Sequence, residues 1–302
     1  MHGGHHGGDR RWLSAALALI CVFMVGEVVV GLLSGSLALL SDAAHMVTDA
    51  AAIGLALLAA RMAERPPSGG FTFGLRRAEI LSAQANGVTL LILSVWIVYE
   101  AITRLREPND VVGEAVLITA LVGLGINLVA ASLIRRANRH SLNVEGAFQH
   151  IVTDLFAFGA TAIAGVVVLT TNFREADPIA SMFVAALMIR SGVRLVRDSG
   201  RIFLEAAPSG VDPSTLGAEL AALPGVVEVH DLHVWEVTSG YPAMSAHVLV
   251  EPGGDCHALR KEIEAHLREA YAIDHTTLQV DHAELVTTDP HCTDPHGAHY
   301  RA

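Results

Sequence analysis

SLALLSDAAHMVTDA, residues 36–50, and EGAFQHIVTD, residues 145–154, are the two stretches on which the fold of this chain turns. Each lies in a helix-length apolar segment and carries a histidine and an aspartate four residues apart, His45 with Asp49 and His150 with Asp154. An ionisable side chain inside a bilayer is expensive, so four of them at matched spacing require a purpose. On an α-helix, residues i and i+4 share one face. Two such faces turned toward each other present two imidazoles and two carboxylates. That set closes a tetrahedral shell around a divalent metal, with zinc the natural fit. The residues therefore predict a membrane metal transporter with a zinc-type site inside the membrane.

Composition agrees. The 302 residues are 52% hydrophobic and 17% charged, and the mean hydropathy is +0.44. The apolar residues come in long runs, each near the ~20 residues that cross a bilayer. A net charge of −11 is no nucleic-acid signature, and no nucleic-acid partner is expected. Cys21, Cys256 and Cys292 are odd in number and scattered, so neither a disulfide framework nor a thiolate zinc cluster is indicated. The first apolar run is too long for a secretory signal and leads into further spans.

Six spans are predicted, at 12–33, 38–61, 78–102, 112–135, 143–170 and 177–203. The second and fifth carry the polar faces, with Asp42 and Thr48 added to one and Gln149 and Thr153 to the other. Arginines set the orientation. Arg10 and Arg11 precede the first span, Arg61, Arg65, Arg76 and Arg77 flank the second loop, and Arg135, Arg136 and Arg139 the fourth. Arg194, Arg197 and Arg201 close the sixth span, whereas the loop with Arg174, Glu175 and Asp177 mixes signs. Both termini are expected in the cytoplasm.

After Pro208 the pattern changes. Residues 212–223 read as a short helix, 226–238 and 243–250 as strands split by Ser239-Gly240, and 276–280 as a third strand. Asp255 is a candidate N-cap for a helix with Leu259, Ile263 and Leu267 on one face. The αββαβ order predicts an α+β domain, ferredoxin-like or metallochaperone-like, with its helices on one face of a small sheet. The expected organisation is a His-rich cytosolic N-terminus at 1–11 and a six-helix transmembrane domain at 12–206. A cytosolic α+β domain follows at 207–286, then a disordered, histidine-bearing tail at 287–302.

Five segments resemble the cation diffusion facilitators: residues 36–50, FTFGLRRAEILSAQANG at 71–87, 145–154, IFLEAAP at 202–208 and HDLHVWEVTSG at 230–240. The likeness runs in order from Trp12 to His282. It implies a homodimeric, bacterial-type cell-membrane exchanger that moves zinc out of the cytoplasm against protons, a secondary transporter and not an enzyme. Carried over by position, the transport ligands are His45, Asp49, His150 and Asp154. Histidine at 45 points to zinc, where relatives with aspartate tend toward manganese. A broader exporter of cobalt, cadmium, nickel or ferrous iron is the alternative. A membrane metal sensor without transport, or an intramembrane metallohydrolase, is remote, since no HExxH occurs.

Asp42, three residues before His45, is suited to support a ligand or pass a proton, with a structural role at the span entrance as the alternative. Glu27 is a further costly acid in the first span, and Asn86 and Asn127 suit interhelical hydrogen bonds. Arg76 or Arg77 is placed to pair with Glu205. In the C-terminal domain the candidate zinc ligands are His230, His247, His257 and Asp281, with Gln279 standing where some relatives have histidine. His233 falls on the other face of its strand. The terminal residues His2, His5, His6, His291, Cys292, His296 and His299 are expected to capture metal loosely or not at all.

Overall fold

The computed structural model describes residues 6–63, 65–107, 110–134, 142–283 and 298–301; within the helices, the side chains of 48–57 and 142–153, among others, lie outside that description. Six long helices come first: α1 His6–Ser34, α2 Leu37–Ala63, α3 Ala78–Arg106, α4 Gly113–Ile134, α5 Leu142–Thr171 and α6 Ala176–Phe203. Among the described residues, α3, the 154–171 stretch of α5, and α6 are long and apolar enough to cross a membrane. The apolar stretches at 21–34, 37–47 and 113–129 are shorter. The chain divides into two compact units, Met1–Leu55 with Ala85–Val196, and Ala56–Gln84 with Arg197–Ala302.

In the first unit, α2 starts from a built cap. Gly35 ends α1 with φ +68°, in the left-handed region that glycine enters without strain. The Ser36 hydroxyl accepts from Leu39 N at 3.2 Å, and the buried Asp177 carboxylate accepts from Leu37 N at 2.8 Å and from Ser36 Oγ at 2.5 Å. A carboxylate there satisfies N–H groups that the helix cannot and complements its positive end. Asp177 had the look of a loop charge; here it opens α6 and holds the start of α2.

Glycines set the close helix crossings. A Cβ on Gly87 would lie 3.1 Å from the Gly192 carbonyl, and one on Gly192 would lie 3.0 Å from the Gly87 carbonyl, so α3 and α6 meet backbone to backbone. Small residues at such crossings are the rule where helices pack in membranes. Gly123 of α4 makes room for Phe158 of α5, whose Cε1 would be 2.4 Å from an added Cβ. Phe158 is fully buried and meets Phe23 edge-on at 5.6 Å between ring centroids. Asn127 donates back to the Gly123 carbonyl in its own helix at 3.1 Å, so the bond that this amide makes is not an interhelical one. Gly123→Val is expected to displace Phe158 and to cost about 1–3 kcal/mol, the usual price of overpacking. Thermal unfolding in detergent measures it, and an unchanged Tm would contradict this packing.

The second unit holds the α+β domain: α7 Pro213–Ala221, β1 Val226–Thr238, β2 Tyr241–Val250, α8 Cys256–Tyr271, β3 His275–His282 and β4 Tyr300–Arg301. The sheet order is β3-β2-β1-β4, with β2 and β3 parallel and the other pairs antiparallel. Asp255 caps α8, accepting from His257 N at 3.1 Å and Ala258 N at 3.0 Å. Leu259, Ile263 and Leu267 are the buried face of α8, packed with Leu216 and Leu220 of α7 over Val229, Met244, Ala246 and Val248. Full burial of each such side chain is worth roughly 1.5–3 kcal/mol. The expected αββαβ order is present, but the expectation of a disordered tail fails at its end, because residues 300–301 add a fourth strand to the outer edge of β1.

The α2–α3 connection docks within this same unit. Arg77 donates to Glu205 Oε1 at 3.2 Å and to the Val237 carbonyl at 3.3 Å. The Arg76 guanidinium lies 4.3 Å from the Tyr241 ring centroid, a cation–π contact, while the Arg76 carbonyl accepts from Thr238 Oγ1 at 3.2 Å. Of the two arginines, Arg77 takes Glu205.

Candidate metal centre

Helix α2 presents Asp42 and His45 inward, and α5 presents Asp154. All three are buried, with exposures of 1%, 4% and 3%. His45 Nε2 stands 3.9 Å from Asp154 Oδ1. Two ligands of one tetrahedral zinc, each about 2.0–2.1 Å from the ion, are separated by about 3.3 Å, so the pair needs only a small adjustment to share a metal. Asp49 and His150 have side chains outside the described residues. Their backbones lie on α2 and α5, one turn beyond His45 and one turn before Asp154. Met46, next to His45 in sequence, and Phe158, one turn after Asp154, pack with Phe23 in an apolar cluster.

Glu27 of α1 joins the group. It is 1% exposed, beside Asp42 and within electrostatic reach of Asp154. Its sequence signal was only an acid in an apolar run; its neighbours come from α2 and α5.

The open face of the sheet carries the second candidate cluster. His230 pairs with His247 across β1 and β2, and His247 pairs with Gln279 across β2 and β3. The His230 and His247 rings meet edge-on with centroids 5.4 Å apart. Asp281 accepts from Gln279 Nε2 at 2.9 Å, and His257 is exposed in the first turn of α8. Of the four expected ligands, then, His230 and His247 are brought into contact. No ligand-spaced group among the described residues includes His257 or Asp281. His233, with 54% of its side chain exposed, binds Asp231 Oδ1 at 2.9 Å beside a bulge where Asp231 has φ +51°.

His299, expected to capture metal loosely or not at all, and Glu228, not among the expected ligands, join His230 here. Glu228, His230 and His299 offer ligand atoms within 4.8 Å of one another. Burial works to raise the Glu228 carboxyl, but hydrogen bonds from His299 and Arg301 outweigh it and hold it below its usual range. Burial, then His247 and His299, depress His230 against the pull of Glu228. Its imidazole therefore stays neutral at neutral pH and keeps a lone pair to give.

Long apolar helices that bury an imidazole–carboxylate pair, followed by a histidine-bearing mixed sheet, are the features of an integral membrane protein. Residues 13–204 match the cation efflux transmembrane domain, and residues 208–283 match the cation efflux protein cytoplasmic domain. The chain belongs to the cation efflux family. It is 37% identical over 294 residues to the zinc transporter ZitB of Pectobacterium atrosepticum, covering 97% of this chain and 91% of that one. It is 38% identical over 293 residues to ZitB of Escherichia coli, covering 96% and 93%. With the cadmium, cobalt and zinc/H(+)-K(+) antiporter of Bacillus subtilis it shares 34% over 285 residues, covering 93% and 91%. A solved metal-bound C-terminal domain of the CzcD transporter is 31% identical over 23% of this chain and 97% of that one. Its TM-score of 0.22 supports no structural argument.

Proposed function

We propose that this protein exports zinc across the membrane by exchange with protons, through a tetrahedral site of His45, Asp49, His150 and Asp154. The single observation that carries the site is the His45–Asp154 approach of 3.9 Å between two buried side chains on α2 and α5. The ZitB relatives support the cargo.

All six long helices cross the membrane in this reading, and both termini are cytoplasmic. Zinc reaches the site from the cytoplasm when the histidines are neutral and the carboxylates ionised. The bundle then turns the site outward, where protons compete for the same lone pairs. The imidazole lone pair that binds a metal also accepts a proton, so His45 and His150 suit that competition. Asp42 and Glu27 stand behind the ligands as supporting acids. The protein acts as a homodimer, and the cytosolic domain binds zinc through His230 and His247, with His257 and Asp281 available to the site at a dimer contact. Zinc and proton flux in reconstituted proteoliposomes tests the whole reading, and zinc flux that dissipates no proton gradient would overturn the exchange.

The name of the Bacillus relative, spanning cadmium, cobalt and zinc, favours broader selectivity as the second reading. His45→Asp is expected to weaken discrimination for zinc, because a harder oxygen replaces imidazole. Competition by manganese and cadmium measures it, and an unchanged selectivity series would show that this position does not set metal choice.

A further inference from the structure

The C-terminal strand is docked by several independent contacts. Val229 pairs with Tyr300 and Glu228 with Arg301 along the edge of β1. The Tyr300 ring lies against Gly217 of α7, where an added Cβ would sit 2.3 Å from Cε2, so the helix is built with a gap for that ring. Arg301 Nε donates to Glu228 Oε2 at 2.7 Å. Docking also covers an edge strand that would otherwise present unpaired backbone groups.

One step along this ladder from Val229–Tyr300 lies His299 opposite His230. The two rings are stacked, with centroids 5.3 Å apart and planes 16° apart. Both imidazoles turn Nδ1 toward the same carboxylate oxygen: His299 Nδ1 is 2.7 Å from Glu228 Oε1, and His230 Nδ1 is 3.3 Å from it. Arg301 occupies the other oxygen, which leaves Oε1 aimed at the imidazoles. The longer separation matches the roughly 3.3 Å between two ligands of a tetrahedral zinc, and the shorter needs to open by about 0.6 Å. Arginine on the far oxygen is the kind of outer contact that orients a ligating carboxylate.

We propose that Glu228, His230 and His299 form a zinc-type cation site completed within one chain by the C-terminal strand, so that metal binding locks the tail onto the edge of β1. Entry of the ion replaces the His299–Glu228 hydrogen bond by two metal–ligand bonds, and the Nδ1 proton of His299 leaves to solvent or returns on Nε2. The fourth position is open to water. The site rests on the transport reading for the identity of the ion, and it shares His230 with the His230–His247 pair assigned to zinc above, with Glu228 and His299 as its other ligands. Because metal binds the docked arrangement and not the undocked one, it stabilises docking by linkage: at a hundred times the dissociation constant the docked state gains about 100-fold.

The test uses the full chain in detergent, carrying Asp154→Ala to disable the transport site, stripped of metal and titrated with Zn2+. Zinc binding and release of the last residues by a serine carboxypeptidase are followed together. Zinc should slow release at least about 10-fold, within the range set by linkage. The same protein with His299→Ala should lose that protection and a tight zinc equivalent, and Glu228→Gln, which changes no residue of the tail and keeps one acceptor oxygen for Arg301, should do likewise. Equal zinc binding in all three, with release indifferent to zinc, would overturn the site and leave the tail held by Tyr300 and hydrogen bonds alone. Zinc flux by the wild-type chain in vesicles is a separate arm. Protection without flux would remove the transport reading and leave this site standing.

Discussion

Asp154→Ala is expected to abolish zinc flux while the protein still folds and inserts. Asp154 is buried, 3.9 Å from His45, on the face of α5 that also bears His150 one turn earlier. Losing only an outer partner of a metal ligand costs ~10–100-fold in affinity, and losing the ligand itself costs at least as much. Flux should therefore fall below about one-hundredth of the wild-type rate. Folding should survive, because Phe158 and the α4–α5 contact do not depend on the carboxylate. Reconstituted vesicles loaded with a zinc-sensitive dye read the result. Wild-type flux in this variant would sink the assignment of the transport site, whereas loss of flux with loss of the folded protein would be separated by size-exclusion and melting profiles.

Asp177→Ala is expected to have the second-largest effect, through position and not through ligation. The carboxylate takes hydrogen bonds from Ser36 Oγ and Leu37 N, and Arg104 stands near it and donates to the Gly35 carbonyl at 2.6 Å. Its removal leaves buried donors at the start of α2 without their acceptor, which costs about 1.5–3 kcal/mol for bonds to a charged group. His45 lies eight residues further along that helix, so a loosened start lets the ligand face drift. The melting temperature and the maximal flux should both drop, while equilibrium selectivity among metals should not change, because no ligand is altered. Asp177→Asn, which keeps one acceptor oxygen, should recover part of the loss. An alanine variant with wild-type melting and flux would show that α2 needs no tether from α6.

The folding pattern was legible from local signals. Long apolar runs became helices, three of them long and apolar enough to cross a membrane among the described residues, and alternation and turn residues marked β1, β2 and β3. Leu259, Ile263 and Leu267 at helical spacing, behind an Asp255 cap, gave the buried face of α8. The paired HxxxD spacing pointed at the proposed metal site because i and i+4 share a helix face whatever else the chain does.

Partners distant in sequence were another matter. Asp177 reads as one charge in a mixed loop, yet tertiary packing sets it on the first turn of a helix about 140 residues away. Arg76 and Arg77 are alike in sequence; only the docking of their loop sends one to Glu205 and the other to Tyr241. The polar tail carries no periodicity to mark a strand, and two residues are too few to show one. Pairing with the free edge of β1 and a ring-sized gap at Gly217 make residues 300–301 a strand and bring His299 to His230. Periodicity reports which face of an element is apolar, and the sequence by itself determined that much. Which groups meet across elements depends on register, crossing and close approach, and these only the tertiary structure decided.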